Sequence, residues 1–218
     1  MHIILGPSFA LTNSHFLAAG KPAPPRPLKF DFENPSQDPK EVEEQLANAM
    51  ENFGGIGLSA NQVGLDVRCF VMRTQDGAVC FFNPELTKVS QETDLLKEGC
   101  LSFPDIYLMI KRSKVIEMKY NDSEGKEHII TLDGLGARCA QHEIDHLNGI
   151  VFLQRASRLK LDRALKSRPK ERAKRIEYEK RQALAKYIQS MQSKDDTTNV
   201  DTDGVSDTSP VVQESSSA

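Results

Sequence analysis

The stretch "CAQHEIDHLNG", residues 139–149, sets two histidines four residues apart with a glutamate directly after the first. On a helix, side chains four apart project from one face about one turn from each other, so the imidazoles of His142 and His146 can reach one ion. Glu143, rotated from that pair by one residue, then lies beside the ion and can address its bound water. The spacing predicts a helix, and the segments before it predict what that helix packs on.

The helix is expected to begin near Leu135, and "GIVFL" after it reads as a short buried segment. Before it come "VRCFVM" (67–72), "AVCFFN" (78–83), "YLMI" (107–110), "KVIEMKY" (114–120) and "EHIITL" (127–132), with "QDG" and "NDSEG" as turns. These runs are predicted as strands in antiparallel hairpins. Farther upstream, Val42, Leu46, Ala49, Met50 and Phe53 recur at three and four. That period predicts a helix from Pro39 to Phe53, ended by Gly54 and Gly55. Residues 1–39 are proline-rich and are expected to wrap the core as an extended surface segment. The fold class is therefore α+β: antiparallel sheets packed around a central helix carrying HEIDH, followed by a C-terminal helical extension.

With 218 residues, 39% of them hydrophobic, the chain is long enough for one sizeable core with appendages. No run of about 18 apolar residues is available to span a bilayer. The N-terminus lacks the basic flank and apolar stretch of a secretory signal, so a cytoplasmic protein is expected. Cys69, Cys80, Cys100 and Cys139 form no CxxC pair, which favours reduced thiols over a disulfide framework. Charge divides the chain: residues 155–190 carry 13 Lys and Arg against 4 Asp and Glu, whereas residues 191–218 carry 1 against 6. The expected organisation is a catalytic domain at 1–155, a basic helical extension at 156–191 and a disordered, acidic, Ser/Thr-rich tail at 192–218. Monomer is the expected state.

A third protein ligand decides the class of the metal site, because a catalytic site of this kind keeps three and leaves one position for water. One large metalloprotease group continues as HExxHxxGxxH. Here Gly149 falls at the glycine, but Phe152 stands where the third histidine is required. Cys139 lies seven residues from His146, about 10.5 Å of helix rise, too far to converge with both histidines on one small ion. It reads better as a small apolar neighbour. Cys69 and Cys80 sit in strand-like runs. That leaves Cys100 in "KEGCLSFPD", where a glycine and a proline mark an irregular segment able to present a thiol.

"GIGLSANQVGL" (55–65), "EGCLS" (98–102) and "QHEIDHLNG" (141–149) together resemble the three signature blocks of the peptide deformylases, in the family's order. The resemblance covers residues 1–155 and implies a metallo-amidohydrolase that removes the formyl group from N-formyl-methionyl nascent peptides and releases formate. It implies that Cys100, His142 and His146 bind one divalent ion, Fe2+ ahead of Zn2+, Ni2+ or Co2+, and that Glu143 is the acid/base catalyst. Gln62 through its side-chain amide and Leu101 through its backbone N–H would donate to the oxyanion. A structural amide tying the glycine loop to the core is the other reading of Gln62.

Gly57, Leu58 and Gly99 would meet the peptide backbone, and Gly55 and Gly57 would let it approach closely. A slot for the methionine side chain would be lined by Ile56, Leu96, Leu135 and Cys139, which are equally readable as core. Tyr107 is readable as a more distant substrate contact or as a surface residue. The sequence departs from the commonest family wording at "GLSANQ" and at Asp105, where glycine is frequent. Asp145 is open between orienting a basic group, lying at the surface and supporting a ligand histidine.

The basic segment is strongly helix-forming except at Pro169, which is expected to break it or to open a second helix. Either it docks as a solvated helix or its charge marks an RNA or ribosome contact, and the family resemblance supports the second. Two other readings of the whole protein are weaker. A zinc endopeptidase gives "EGCLS" no role, and a catalytically idle metal platform gives none to Glu143.

Overall fold

In a computed structural model of the protein, residues 26–195 are described, with side chains to residue 186. The extended course expected for residues 1–25 and the tail beyond residue 195 lie outside the described residues. Residues 26–38 carry no helix or strand.

Helix α1 spans Pro39–Asn52. The Asp38 carboxylate accepts a hydrogen bond from the Lys40 amide at 2.9 Å, and Pro39 stands in the first turn where no N–H is needed. Val42, Leu46 and Met50, on the predicted stripe, are fully buried. Gly54, at φ +64, lets the chain reverse, and the Gly54 and Gly55 amides close on the Glu51 and Met50 carbonyls at 2.9 Å.

Five strands form an antiparallel sheet in the order β1 (Gly57–Ser59), β2 (Cys69–Thr74), β3 (Gly77–Val89), β6 (Val115–Asn121) and β7 (Glu127–Asp133). Strands β4 (Thr93–Cys100) and β5 (Phe103–Ser113) pair as a separate antiparallel hairpin. Strands β1 and β4 are absent from the sequence reading, and β3 and β5 are longer than read. β1 has only three residues, too few to display a period. In β4 the inward position is a charged one: Glu98 is 3% exposed and paired with arginines, so hydropathy hides the alternation.

Helix α2 (Gly134–Leu147) packs against β1, β2, β5, β6 and β7. Its Ala137, Cys139, Ala140, Ile144 and Leu147 meet Phe70, Met72, Phe81, Ile116 and Met118 in one core. A second core joins α1 to β2 and β3, and a third joins β5 to Phe152 and Ala164. Gly149 at φ +72 ends α2, with the Ile150 amide on the Asp145 carbonyl at 2.8 Å.

Helix α3 runs unbroken from Arg158 to Asp195 with Pro169 inside it, contrary to the break expected there. The proline removes one backbone bond, to the Leu165 carbonyl. Ala164, buried five residues before it, and Arg175, ion-paired six residues after it, tie the helix to the rest of the unit on both sides of the proline. A compact unit extends to Arg175, and a second begins at Ile176. In the second unit Arg181 pairs with Glu177 one turn away at 3.1 Å. No helix among the described residues is long and apolar enough to cross a membrane.

Candidate metal centre

Helix α2 and the tip of the β4–β5 hairpin meet at Cys100, His142 and His146, whose ligand atoms all lie within 4.8 Å of one another. The Cys100 Sγ stands 3.2 Å from His146 Nε2. The two imidazoles are 4.9 Å apart between centroids and nearly perpendicular, at 80°. His142 turns its Nδ1 to Glu98 Oε2 at 3.2 Å, which leaves Nε2 for the centre. One thiol and two imidazoles suit zinc or ferrous iron and leave a coordination position open.

Electrostatics around these atoms agree with a cation. Burial pulls His142 down, but its hydrogen bonds to Cys100 and Glu98 outweigh burial and raise it to about 10. Burial, with the charge of His142, drives His146 well below the ordinary histidine range. One ring of the pair thus favours charge and the other neutrality, and a divalent ion would be held with both rings neutral. Burial also pushes Glu143 up to about 7, against the opposing influence of His142 and Ser59. Glu143 is 4% exposed, and its Oε2 has no hydrogen-bond partner in the protein. A buried carboxylate oxygen without a partner keeps its capacity for a ligand or water.

Gln62 is held from both ends of its side-chain amide, as the structural reading foresees. Its Oε1 accepts from the Ser59 amide at 3.0 Å and from the Ser59 hydroxyl at 2.8 Å, which ties it to the glycine loop. Its Nε2 donates to Ser102 Oγ at 2.9 Å and points toward Cys100 Sγ at 3.7 Å. A cavity of about 40 Å³ lies over the cluster, lined by Ile56, Gly57, Gln62, Gly99, Cys100, Leu101, Leu135, Cys139, His142 and Glu143, together with Glu98 and Arg138. Cys139 is buried, its thiol 3.6 Å from the Ile56 carbonyl.

Three residues expected at the substrate are not among those lining this cavity. The Leu58 side chain is fully buried in the core, so only its backbone can face the cleft. Leu96 is 47% exposed and outside the cavity, although it shares a pleat face of β4 with Glu98. Tyr107 is half-buried with the Lys97 ammonium 4.5 Å from its ring centroid, and it does not line the cavity. Gly57 is needed for a reason besides the peptide approach expected of it. A Cβ there would stand 2.5 Å from Cys139 Sγ and 2.9 Å from Glu143 Oε1, so the missing side chain is room for the glutamate itself.

Sequence reasoning passed over the charges beneath the cluster. Arg112 grips Glu98 with two bonds of 3.0 Å, and Arg138 adds Nη1 at 2.5 Å. Despite burial, these partners and His142 hold Glu98 at about 2. Arg112 also reaches Asp145 at 2.5 Å, and Asp145 is paired again with Arg155. Of the three readings of Asp145, orienting basic groups is the one seen. Glu98 was inside a quoted block, but nothing local in β5 signals that Arg112 faces inward.

The polypeptide deformylase sequence profile matches residues 25–162. The peptide deformylase of Thermotoga maritima is 42% identical over 129 residues, 59% of this chain and 76% of that one. That of the Wolbachia of Brugia malayi is 41% identical over 144 residues, 60% of this chain and 80% of that one. Among solved structures, a Synechococcus elongatus peptide deformylase in complex with actinonin superposes with a TM-score of 0.66 at 29% identity, covering 78% of this chain and 93% of that one. The Thermotoga maritima structure gives 0.55 at 40% identity, covering 62% and 89%. With this fold, this cluster and these relatives, the chain belongs to the polypeptide deformylase family.

Proposed function

We propose that the protein hydrolyses the N-terminal formyl group of formyl-methionyl peptides at the Cys100, His142 and His146 cluster. The observation that carries this reading is a buried, unpartnered Glu143 oxygen beside three convergent metal donors. A divalent ion held by those donors supplies Lewis acidity, lowering the pKa of water toward neutrality and polarising the formyl oxygen. Fe2+ is the favoured ion; Zn2+, Ni2+ and Co2+ suit the same donors.

Glu143, raised to about 7 by burial, accepts the proton of the attacking water and delivers it to the leaving amine. Water and a formamide thus become formate and a free N-terminus. The Gln62 amide, fixed by Ser59 on its oxygen side, directs Nε2 at the reacting oxygen, and the Leu101 N–H is its partner donor. Ile56, Leu135 and Cys139, which line the cavity, form the methionine slot, and Leu96, exposed outside it, meets the side chain from the solvent side; Gly57, Leu58 and Gly99 receive the peptide backbone with their main chains, and Tyr107 lies farther along it. The protein acts in the cytoplasm as a monomer. The basic helix 156–191 supports ribosome contact, checked by salt-sensitive pelleting that is lost on deletion beyond residue 157.

The test is formate release from a formyl-Met-Ala peptide by protein prepared without oxygen and loaded with Fe2+, beside Glu143→Ala. Turnover that disappears in the variant supports the reading. No turnover by folded wild-type protein with one equivalent of metal would overturn it.

A further inference from the structure

Beyond the reaction itself, and resting on the reading above, the geometry points to Arg175 on α3 as a positioning residue that acts through Asp105 on the hairpin tip carrying Cys100. The tip is short. Cys100 pairs with Phe103, so Leu101 and Ser102 alone make the turn between β4 and β5. Two-residue hairpin turns match strand twist when their residues take positive φ. Among the described residues the only non-glycine positions with positive φ are Asn83 and Asp105, so neither Leu101 nor Ser102 does. The chain instead places its strain three residues past the turn, with Asp105 at φ +66, in the left-handed region that favours glycine. The register is also shifted between Glu98 and Cys100. The tip therefore does not hold itself by turn geometry.

What holds it comes from far along the chain. On β5, Ile106, Leu108, Ile110 and Arg112 point inward, and the opposite pleat carries Asp105, Tyr107, Met109 and Lys111. Met109 and Lys111 are exposed and Tyr107 is half-buried, but Asp105 is only 6% exposed. Asp105 lies against α3, where Arg175 donates Nε to Oδ1 at 2.6 Å and Nη2 to Oδ2 at 3.2 Å. A two-point ion pair fixes direction as well as distance. It anchors the strand two residues beyond Phe103, the partner of Cys100, and three beyond Ser102, which receives the Gln62 amide. Arg175 lies outside the segment matched by the family profile, which ends at residue 162. In this chain the extension thus reaches back to the catalytic hairpin.

The test combines Arg175→Ala, Asp105→Gly and their double variant in the full-length, metal-loaded protein. kcat and KM are measured on a formyl-Met peptide, and amide hydrogen exchange is followed over residues 98–106. Arg175→Ala leaves a buried carboxylate unpaired in a strained position. It is expected to lower kcat about tenfold with little change in KM and to speed exchange at the tip. In the Asp105→Gly background, where neither strain nor charge remains, adding Arg175→Ala is expected to change neither readout further. Arg175→Lys, which keeps the charge but not the fork, should fall between wild type and alanine.

Unchanged kcat and exchange in Arg175→Ala, or equal losses in both backgrounds, overturn the proposal. Should Arg175→Ala fail to fold, Arg175→Lys against wild type and the double variant against Asp105→Gly decide by the same criteria. A wild type without turnover whose tip exchange follows the expected pattern overturns the deformylase reading and leaves the clamp standing.

Discussion

Helix α2 and the β4–β5 hairpin each deliver part of the metal cluster, and they do so by opposite means. α2 presents His142, Glu143 and His146 through its own period, from a helix whose apolar residues fill a core against the five-stranded sheet. The hairpin presents one thiol, from β4, whose buried Glu98 pairs with Arg112 of β5 and with Arg138 on α2; Arg112 in turn reaches Asp145 on α2, and Asp105 of β5 is held by Arg175. One element is placed by local geometry and apolar packing, the other by its own apolar core together with buried charge drawn from distant positions. Substitution of Glu143 on the first should strike chemistry with little effect on metal, and substitution of the buried charges on the second should strike metal retention and stability.

The largest effect is expected on α2. Glu143→Gln keeps the shape and removes the proton acceptor, so kcat should fall about a thousandfold while metal content and melting temperature stay near wild type. Loss of metal alongside loss of activity would break the division drawn above. Gly57→Ala probes the same carboxylate sterically. The added methyl meets Cys139 Sγ at 2.5 Å and Glu143 Oε1 at 2.9 Å, and displacing Glu143 by about 1 Å should cost about a hundredfold in kcat/KM. Cys139→Ala relieves one of the two contacts, so the pair Gly57→Ala/Cys139→Ala should recover part of that loss.

On the hairpin side, Glu98→Gln leaves Arg112 and Arg138 buried with one carboxylate fewer and His142 without its charged partner. Metal affinity should weaken about tenfold to a hundredfold. Unfolding free energy should drop by about 3 kcal/mol, because removing one partner of a buried pair strands the other. Metal titration and denaturant unfolding of the same sample separate the two losses. Unchanged metal affinity would mean that the hairpin charges serve the fold alone.

The same division decides what the sequence disclosed. The histidine spacing, the stripe Val42, Leu46, Met50 and the glycine pair after α1 are local signals, and they are visible because a helix writes its period in adjacent residues. The Glu98, Arg112, Arg138 and Asp145 network is bonded between residues 14, 33 and 40 positions apart, and each member alone looks like an ordinary surface charge. β4 was missed for that reason. Pro169 misled in the other direction: its local preference is to end a helix, and tertiary anchors at Ala164 and Arg175 override it.

The smallest effect is expected where only a local signal is at stake. Asp38 caps α1 through one bond of 2.9 Å to the Lys40 amide and is exposed, so no buried charge is stranded when it is removed. Asp38→Ala should lower stability by about 1 kcal/mol, which is about 2–4 °C in Tm for a chain of this size. α1 meets the site through its buried face, packed on Leu58 and Leu101, and through the Gly54–Gly55 turn, which is closed by backbone bonds to Glu51 and Met50 that the cap does not touch. kcat and metal affinity should therefore hold at wild-type values while Tm falls. A loss of activity larger than the loss of stability would mean that α1 sets the placement of Gly57 against Glu143, and that local and long-range support are less separable than the two elements suggest.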